Sequence, residues 1–397
     1  MNICLLSREY PPETGTGGIG TYTYNMAAAL VHLGHDVQVM TATRSSEQDY
    51  RDHGVRVHKI KRRDIRPKEL ELIQYSYSVA RSLGRLRCRP DIIQASEFGG
   101  EAFWLSRRRA CPLVTRLATP LFLIDRFNGK AFSGPRPLLN WIEKRPTVRS
   151  DGIFTSTRAL AKEVCGAWNI DPVRVEVIPN SIDLTRVRRL AGDSPPPEGL
   201  RNRDFLLYFG RLEERKGVRV LARALPAVFE QFPNLSAVFI GSDLGYQGAP
   251  LREHITSCAP GHGERLIFLE QLPQEKLFPI VKRAKIVVLP SLWEAFGFVA
   301  VESLALGRPL VATSGSGFEE IIEDNISGFL VQPGDSEALA GKIIDVLRDQ
   351  ANLRRVAERA ADRARDFEVS AVALRLLEYY QKIRTRWLAR KDASRIQ

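Results

Sequence analysis

In the first half of the chain, apolar residues gather in short runs separated by polar, helix-periodic stretches. Ile3–Leu6, Val37–Thr41, Val55–Ile60, Asp91–Gln94, Leu113–Leu117, Gly152–Thr155 and Val175–Ile178 are too short for helices and mostly rich in β-branched residues. Continuous apolar runs of this length predict parallel strands buried on both faces. Between them, a helix is predicted with Met26, Ala27, Leu30 and Val31 on one face and Gly34 as its stop. Others are predicted over 68–86, over 138–145 up to Pro146, and from Thr157 through Ala167. Segment 121–137, with Gly129, Gly134, Pro135 and Pro137, predicts mostly loop. Repeated strand-helix alternation defines a doubly wound α/β sheet.

Residues 184–204 break the pattern. They are rich in Arg, Pro, Asp and Gly, and Ser194-Pro195-Pro196-Pro197 cannot lie inside an element. A linker there divides the chain into a first domain over 1–190 and a second over 200–368. In the second domain the alternation restarts, with strands at Phe205–Phe209, Ser236–Ile240, Leu266–Leu269, Ile286–Leu289, Pro309–Ala312 and Gly328–Val331. The remainder, 369–397, reads as one long amphipathic helix carrying Leu374, Leu376, Leu377, Tyr380, Ile383 and Trp387, with Ser370 as its N-cap.

Candidate chemistry lies in the loops at the carboxyl ends of strands, where open α/β sheets bind ligands. After the first strand comes Pro11-Pro12-Glu13-Thr14-Gly15-Thr16-Gly17-Gly18-Ile19-Gly20, a Gly-rich entry to a helix that lets a phosphate approach the backbone. Its spacing is neither a dinucleotide fingerprint nor a Walker loop, which disfavours a nicotinamide or ATP enzyme. Gly210-Arg211-Leu212-Glu213-Glu214-Arg215-Lys216-Gly217 follows the Phe205 strand, and Arg211 with Lys216 suits a diphosphate. Glu294 follows the Ile286 strand, and Glu302 lies eight residues on, in the second turn of the helix that Gly297 opens. The amides of Phe296, Gly297 and Phe298 would point out of that helix start. Read alone, these groups also describe solvated surface charges.

Taken together, the motifs G-R-L-x-x-x-K-G, E-x7-E and GFL-V-x-PGD resemble the retaining glycosyltransferases of family 4, which have the GT-B fold. The resemblance spans nearly the whole chain and is densest over 205–335. It implies two Rossmann-like domains facing across a cleft, with the last helix crossing back to the first domain. It also implies a nucleotide-diphosphate sugar, UDP- or GDP-linked, as co-substrate and a glycan, lipid-linked or small-molecule hydroxyl as acceptor. By resemblance, Arg211 and Lys216 neutralise the diphosphate, Glu294 binds donor-sugar hydroxyls, and Glu302 binds the ribose. Gly17, Gly18, Gly210, Phe296, Gly297, Phe298 and Val299 line the donor, and Leu272 meets the base. No D-x-D metal motif is evident, so the cations would replace a divalent metal. One position departs from the family: where many relatives carry His, Arg116-Leu117-Ala118-Thr119-Pro120 places Ala118. Glu97 and Arg116, on neighbouring strand ends, are the candidates to substitute on the acceptor side. The alternatives are an inactivated relative that binds a sugar nucleotide without turnover, and a sugar-nucleotide 2-epimerase.

Composition adds limits. Of 397 residues, 44% are hydrophobic and 26% charged, ordinary for a globular chain of two domains. Five scattered cysteines form no CxxC pair, which argues against zinc and a disulfide framework and for a cytoplasmic protein. The start has no basic n-region of a signal peptide. The net charge is +12, densest from Arg56 to Lys68, which serves solubility or points to an anionic partner: a nucleotide diphosphate, a phospholipid surface such as a membrane inner face, or nucleic acid. Nucleic acid is disfavoured, because no aromatics interleave with that run.

If Ala118 stands where an imidazole would act, Ala118→His raises sugar transfer by on the order of 10²-fold with nucleotide affinity unchanged. Initial rates at saturating acceptor check it, and equal rates would make the alanine part of a complete site.

Overall fold

The computed structural model describes residues 1–11, 17–106, 109–129, 136–192 and 197–396. Pro12 to Thr16 of the Gly-rich loop and Ser194 to Pro196 of the linker lie outside them. The chain forms two compact units. The first comprises Met1–Arg126, Ala131–Ser181 and Val369–Gln397, and the second Phe127–Lys130 and Ile182–Glu368.

The first unit contains β1 (Asn2–Leu6), β2 (Asp36–Thr43), β3 (Asp49–Asp52), β4 (Val55–Lys61), β5 (Ile92–Ser96), β6 (Leu113–Leu117), β7 (Gly152–Thr155) and β8 (Val175–Val177). Its helices are α1 (Gly18–His32), α2 (Lys68–Leu83), α3 (Leu121–Phe127), whose last residue counts with the second unit, α4 (Arg136–Val148) and α5 (Arg158–Trp168). Among the described residues the strands form one sheet in the order β3-β4-β2-β1-β5-β6-β7-β8. Every pair is parallel except β3 with β4. The order reverses around β1, whose neighbours are β2 and β5.

The second unit holds β9 (Asp204–Phe209), β10 (Leu235–Ile240), β11 (Leu266–Leu269), β12 (Ile286–Leu289), β13 (Leu310–Thr313) and β14 (Phe329–Val331). Its helices are α6 (Leu184–Ala191), α7 (Val218–Gln231), α8 (Leu251–Cys258), α9 (Gln274–Arg283), α10 (Phe298–Ala305), α11 (Phe318–Ile321), α12 (Ser336–Arg348) and α13 (Gln350–Arg363). The sheet is parallel in the order β11-β10-β9-β12-β13-β14. Successive side chains of β9 enter different cores. Leu206 and Tyr208 join α7, α8 and α12 on one face, while Phe205, Leu207 and Phe209 join α6, α9 and α10 on the other. That two-sided burial is why the strand reads as an unbroken apolar run.

Three local expectations are corrected. Leu121–Phe127 is helical, not loop. Helix α4 continues through Pro146 to Val148, since a proline in the last turn forfeits a single intrahelical bond. The stretch read as linker begins with α6, capped by Asp183, whose carboxylate accepts the Arg186 amide at 2.7 Å. Leu184, Val187 and Ala191 of α6 are buried in the second unit's core, so the first unit ends at Ser181 rather than at 190.

The final helix, α14 (Val369–Ile396), belongs to the first unit, and Ser370 lies inside it rather than capping it. Its Tyr380 is fully buried and donates to Gln94 Oε1 of β5 at 2.6 Å. Tyr22 of α1 donates to the same oxygen at 3.1 Å. Tyr379 donates to the Ile153 carbonyl at 3.0 Å, and Arg384 pairs with Asp91 at 3.0 Å. Tyr380→Ala therefore empties a large buried volume and is expected to cost about 3–5 kcal/mol, read as a lower denaturant midpoint.

Candidate functional site

In the second unit the strand order reverses at β9, which lies between β10 and β12. A doubly wound sheet opens a crevice beyond the strand ends at such a point. The loop after β9 carries Arg211 to Gly217, and the loop after β12 carries Glu294 to Gly297. Sequence-distant charges thus converge because β9 and β12 are neighbours.

The charges form one connected line. Lys216 Nζ bonds Glu294 Oε2, and Glu294 Oε1 lies 3.7 Å from the Arg215 guanidinium. Arg215 donates to Glu213 Oε1 at 2.8 Å, and Arg211 reaches the same oxygen at 3.1 Å. Glu213, Arg215 and Glu294 are buried, whereas the Arg211 side chain is 54% exposed. Burial pushes the Glu294 carboxyl up, but Lys216 and then Arg215 outweigh it and hold it below the usual carboxylate range. Three cations face two carboxylates, leaving the line with one surplus positive charge.

Backbone contacts fix these loops. Arg215 donates to the Trp293 carbonyl at 3.2 Å, and the Leu292 amide donates to the Arg215 carbonyl at 2.8 Å. The Gly317 amide donates to the Glu294 carbonyl at 2.9 Å. Gly217 has φ +66°, and a Cβ there would collide with the Pro290 carbonyl, so only glycine lets the two loops touch. Asn128 Oδ1 accepts the Arg215 amide at 3.0 Å, and Phe127 stacks on Trp293 at 5.2 Å and 7°.

Gly297, at φ +97°, is the N-cap of α10. A Cβ on it would strike the Phe318 ring, so this turn also requires glycine. The first helical bond runs from the Ala300 amide to the Gly297 carbonyl, so the Phe298 and Val299 amides precede the ladder. The Phe296 ring is buried, edge-on to Phe298 and Phe367. Gly210 turns the chain out of β9 at φ +137°, and Leu272 is half-buried against the core. Glu302 is buried in the second turn of α10, and desolvation lifts its carboxyl from 4.5 to about 7, with only Arg186 opposing.

In the first unit the predicted residues have other occupations. Glu97 is buried, and both its oxygens accept the Ala118 amide at 2.8 Å. Burial raises its pKa. Arg116 is also buried, with its guanidinium 3.8 Å above the Tyr22 ring and donating to Asn180 Oδ1 at 2.8 Å. Glu97 and Arg116 thus secure strand ends inside the unit, contrary to the expectation that they face an acceptor. Ala118 is half-buried. Gly17 caps α1 and Gly18 begins it, and the Gly20 amide is taken by Glu9 Oε2 at 3.3 Å.

Sequence reasoning assigned no role to Glu213, Arg215, Trp293, Phe127 or Asn128. The first two stood in the Gly210–Gly217 loop, where the run Glu213-Glu214-Arg215-Lys216 gives no sign of which charges are buried.

Two parallel-sheet α/β units with this strand-end site have the GT-B fold, and the protein is a glycosyltransferase. Residues 16–186 match the family described as Glycosyltransferase Family 4, and residues 194–363 that described as Glycosyl transferases group 1. The chain belongs to this family. It is 28% identical over 389 residues to a D-inositol 3-phosphate glycosyltransferase of Nocardia farcinica, covering 93% of this chain and 86% of the relative. Among solved structures, sucrose-phosphate synthase from Thermosynechococcus elongatus superposes with a TM-score of 0.79 at 20% identity, over 96% of this chain and 98% of that one. Anabaena HepE in complex with UDP-glucose gives 0.68 at 20% identity, over 96% and 100%.

The raised pKa of Glu302 has a stability consequence. The folded state holds this proton more tightly than the unfolded one, so stability falls as pH rises from 4.5 to about 7, and the full penalty persists above. Glu302→Gln removes it. The variant is expected to be more stable than the parent at alkaline pH by on the order of 3 kcal/mol, with the difference vanishing in acid. Paired denaturant titrations across pH check the slope.

Proposed function

We propose that this glycosyltransferase moves a sugar, with retention of anomeric configuration, from a UDP- or GDP-linked donor to an acceptor hydroxyl in glycan, glycolipid or other glycoconjugate synthesis. The line of charge from Arg211 to Glu294 carries the reading. Its surplus positive charge sits at the strand ends where an anionic diphosphate would bind, beside the first amides of α10. The name of the Anabaena complex, which holds UDP-glucose, supports a nucleotide-sugar donor.

In this reading Arg211 and Lys216 take up the negative charge that grows on the departing diphosphate. No divalent metal is needed for that neutralisation. The bond from the anomeric carbon to the β-phosphate oxygen breaks, and the acceptor oxygen bonds to the carbon on the same face. The acceptor's proton passes to the leaving phosphate oxygen. Glu294, kept ionised by Lys216 and Arg215, accepts hydrogen bonds from sugar hydroxyls, and Glu302 accepts them from the ribose.

The structural ties separate binding tests from stability tests. Lys216→Ala would strip Glu294 of its nearest cation and destabilise the fold as well as the complex. Arg211 is more exposed, so Arg211→Ala is expected to leave the melting temperature unchanged and weaken nucleotide-sugar binding by on the order of 1.5–3 kcal/mol. Calorimetry with the donor chosen by a thermal-shift panel of UDP- and GDP-sugars checks it, and unchanged affinity would reject the phosphate role. Glu294→Gln leaves Lys216 and Arg215 short of a carboxylate, so it is expected to lower the melting temperature, and in the folded variant to depress transfer of radiolabelled sugar more than bare-nucleotide binding. Product analysis in the same assay distinguishes transfer from 2-epimerisation and from binding without turnover.

A further inference from the structure

The first unit carries an aromatic surface that the donor reading does not use. Helix α2 turns its charges the unusual way round. Its two acids, Glu69 and Glu71, are buried, and Glu71 holds Arg8 at 3.3 Å together with Arg62. The outward stripe is instead Leu70, Ile73, Tyr77 and Arg81, with Leu70 50% and Tyr77 54% exposed. Trp104, 43% exposed, stands edge-on to Tyr77 at 6.0 Å. Its indole N–H donates to the Ile73 carbonyl at 3.0 Å, so its single polar atom is spent inside the protein. Phe103 touches Trp104 at 5.6 Å and Trp141 of α4 at 5.2 Å, and Trp141 and Leu138 are each 43% exposed. The Arg145 guanidinium lies 5.1 Å over the Trp141 ring.

Cations rim this surface. Lys61, Arg63, Arg66 and Lys68 are exposed where the chain enters α2, Arg81 is exposed near its end, and Asp64 is the one acid in 61–68. Among the described residues no helix is long and apolar enough to cross a membrane. Tyr77 beside Lys68 and Arg81 on a helix that has withdrawn its carboxylates, with Trp104 and Trp141 on the neighbouring turn and helix, has the chemistry of an interfacial contact.

We propose that the face formed by α2, residues 103–106 and α4 docks on an anionic phospholipid bilayer. The aromatic and aliphatic side chains enter the headgroup boundary, and the cations meet the lipid phosphates. A protein partner with an acidic rim fits the charges less specifically, because the aromatic stripe spreads over two helices and a turn without forming a pocket for one anchor. The proposal is independent of the donor-site reading.

The test is co-sedimentation of the full chain with phosphatidylcholine vesicles, with and without phosphatidylglycerol, at low and high salt. The chain is expected to pellet with the phosphatidylglycerol vesicles only, and less at high salt. Arg66→Glu with Lys68→Glu is expected to lower partitioning by about fivefold or more for each residue. Leu70→Ser with Tyr77→Ser, both on the surface, is expected to lower it several-fold at both salts. Thermal shift with UDP, unchanged in these variants, keeps the result separate from the donor site. The proposal is overturned if the chain stays in solution with anionic vesicles at low salt. It is also overturned if the apolar pair binds like the parent, since basic adsorption then suffices. Gel filtration revealing a dimer that the apolar pair dissolves would overturn it too, by making the face a contact between copies.

Discussion

A buried carboxylate between a buried arginine and a partly buried lysine governs the second unit. Glu294 cannot be ionised inside protein without Lys216 and Arg215, and Arg215 cannot be buried without Glu294 and Glu213. The partners come from loops that follow different strands, so their pairing depends on β9 and β12 lying side by side. The glycine at 217 is part of the same constraint, since any side chain there would push the Pro290 carbonyl away and open the line. The arrangement is costly to assemble and rigid once made, which suits groups that must meet a charged ligand without rearranging.

Both sheets owe their position to two-sided burial. Strands such as β9 feed alternate side chains into separate cores, so helices must cover both faces and loops are left only at the strand ends. The loops able to meet a small ligand are therefore confined to those ends. In the first unit the equivalent ends are occupied by internal bonds, with Glu97 holding Ala118 and Arg116 lying over Tyr22.

Most strands were legible in the sequence because their continuous apolar runs are too short for helices and too apolar for loops. Helix α6 was not, because Leu184, Val187 and Ala191 are set among arginines that resemble a linker until the covering core is known. Helix α3 was hidden by the glycines and prolines that follow it. In the site, strand-end position made Arg211, Lys216 and Glu294 candidates, and only the family resemblance set them above solvated surface charges. Arg215 and Glu213 could not be placed, because burial of opposite charges leaves no one-dimensional signature. Arg116 misled for a related reason: alternation says that a side chain leaves the strand on a given face, but not whether that face is open or covered.

The shared acceptor Gln94 Oε1 ties α1, β5 and α14 at a single oxygen. One partner comes from near the amino terminus and one from the last helix. During synthesis the second unit is nearly a continuous insert, whereas the first stays unfinished until α14 has left the ribosome. The early sheet must wait with its Gln94 face uncovered, so the order of emergence sets the inserted unit to close before the one that begins the chain.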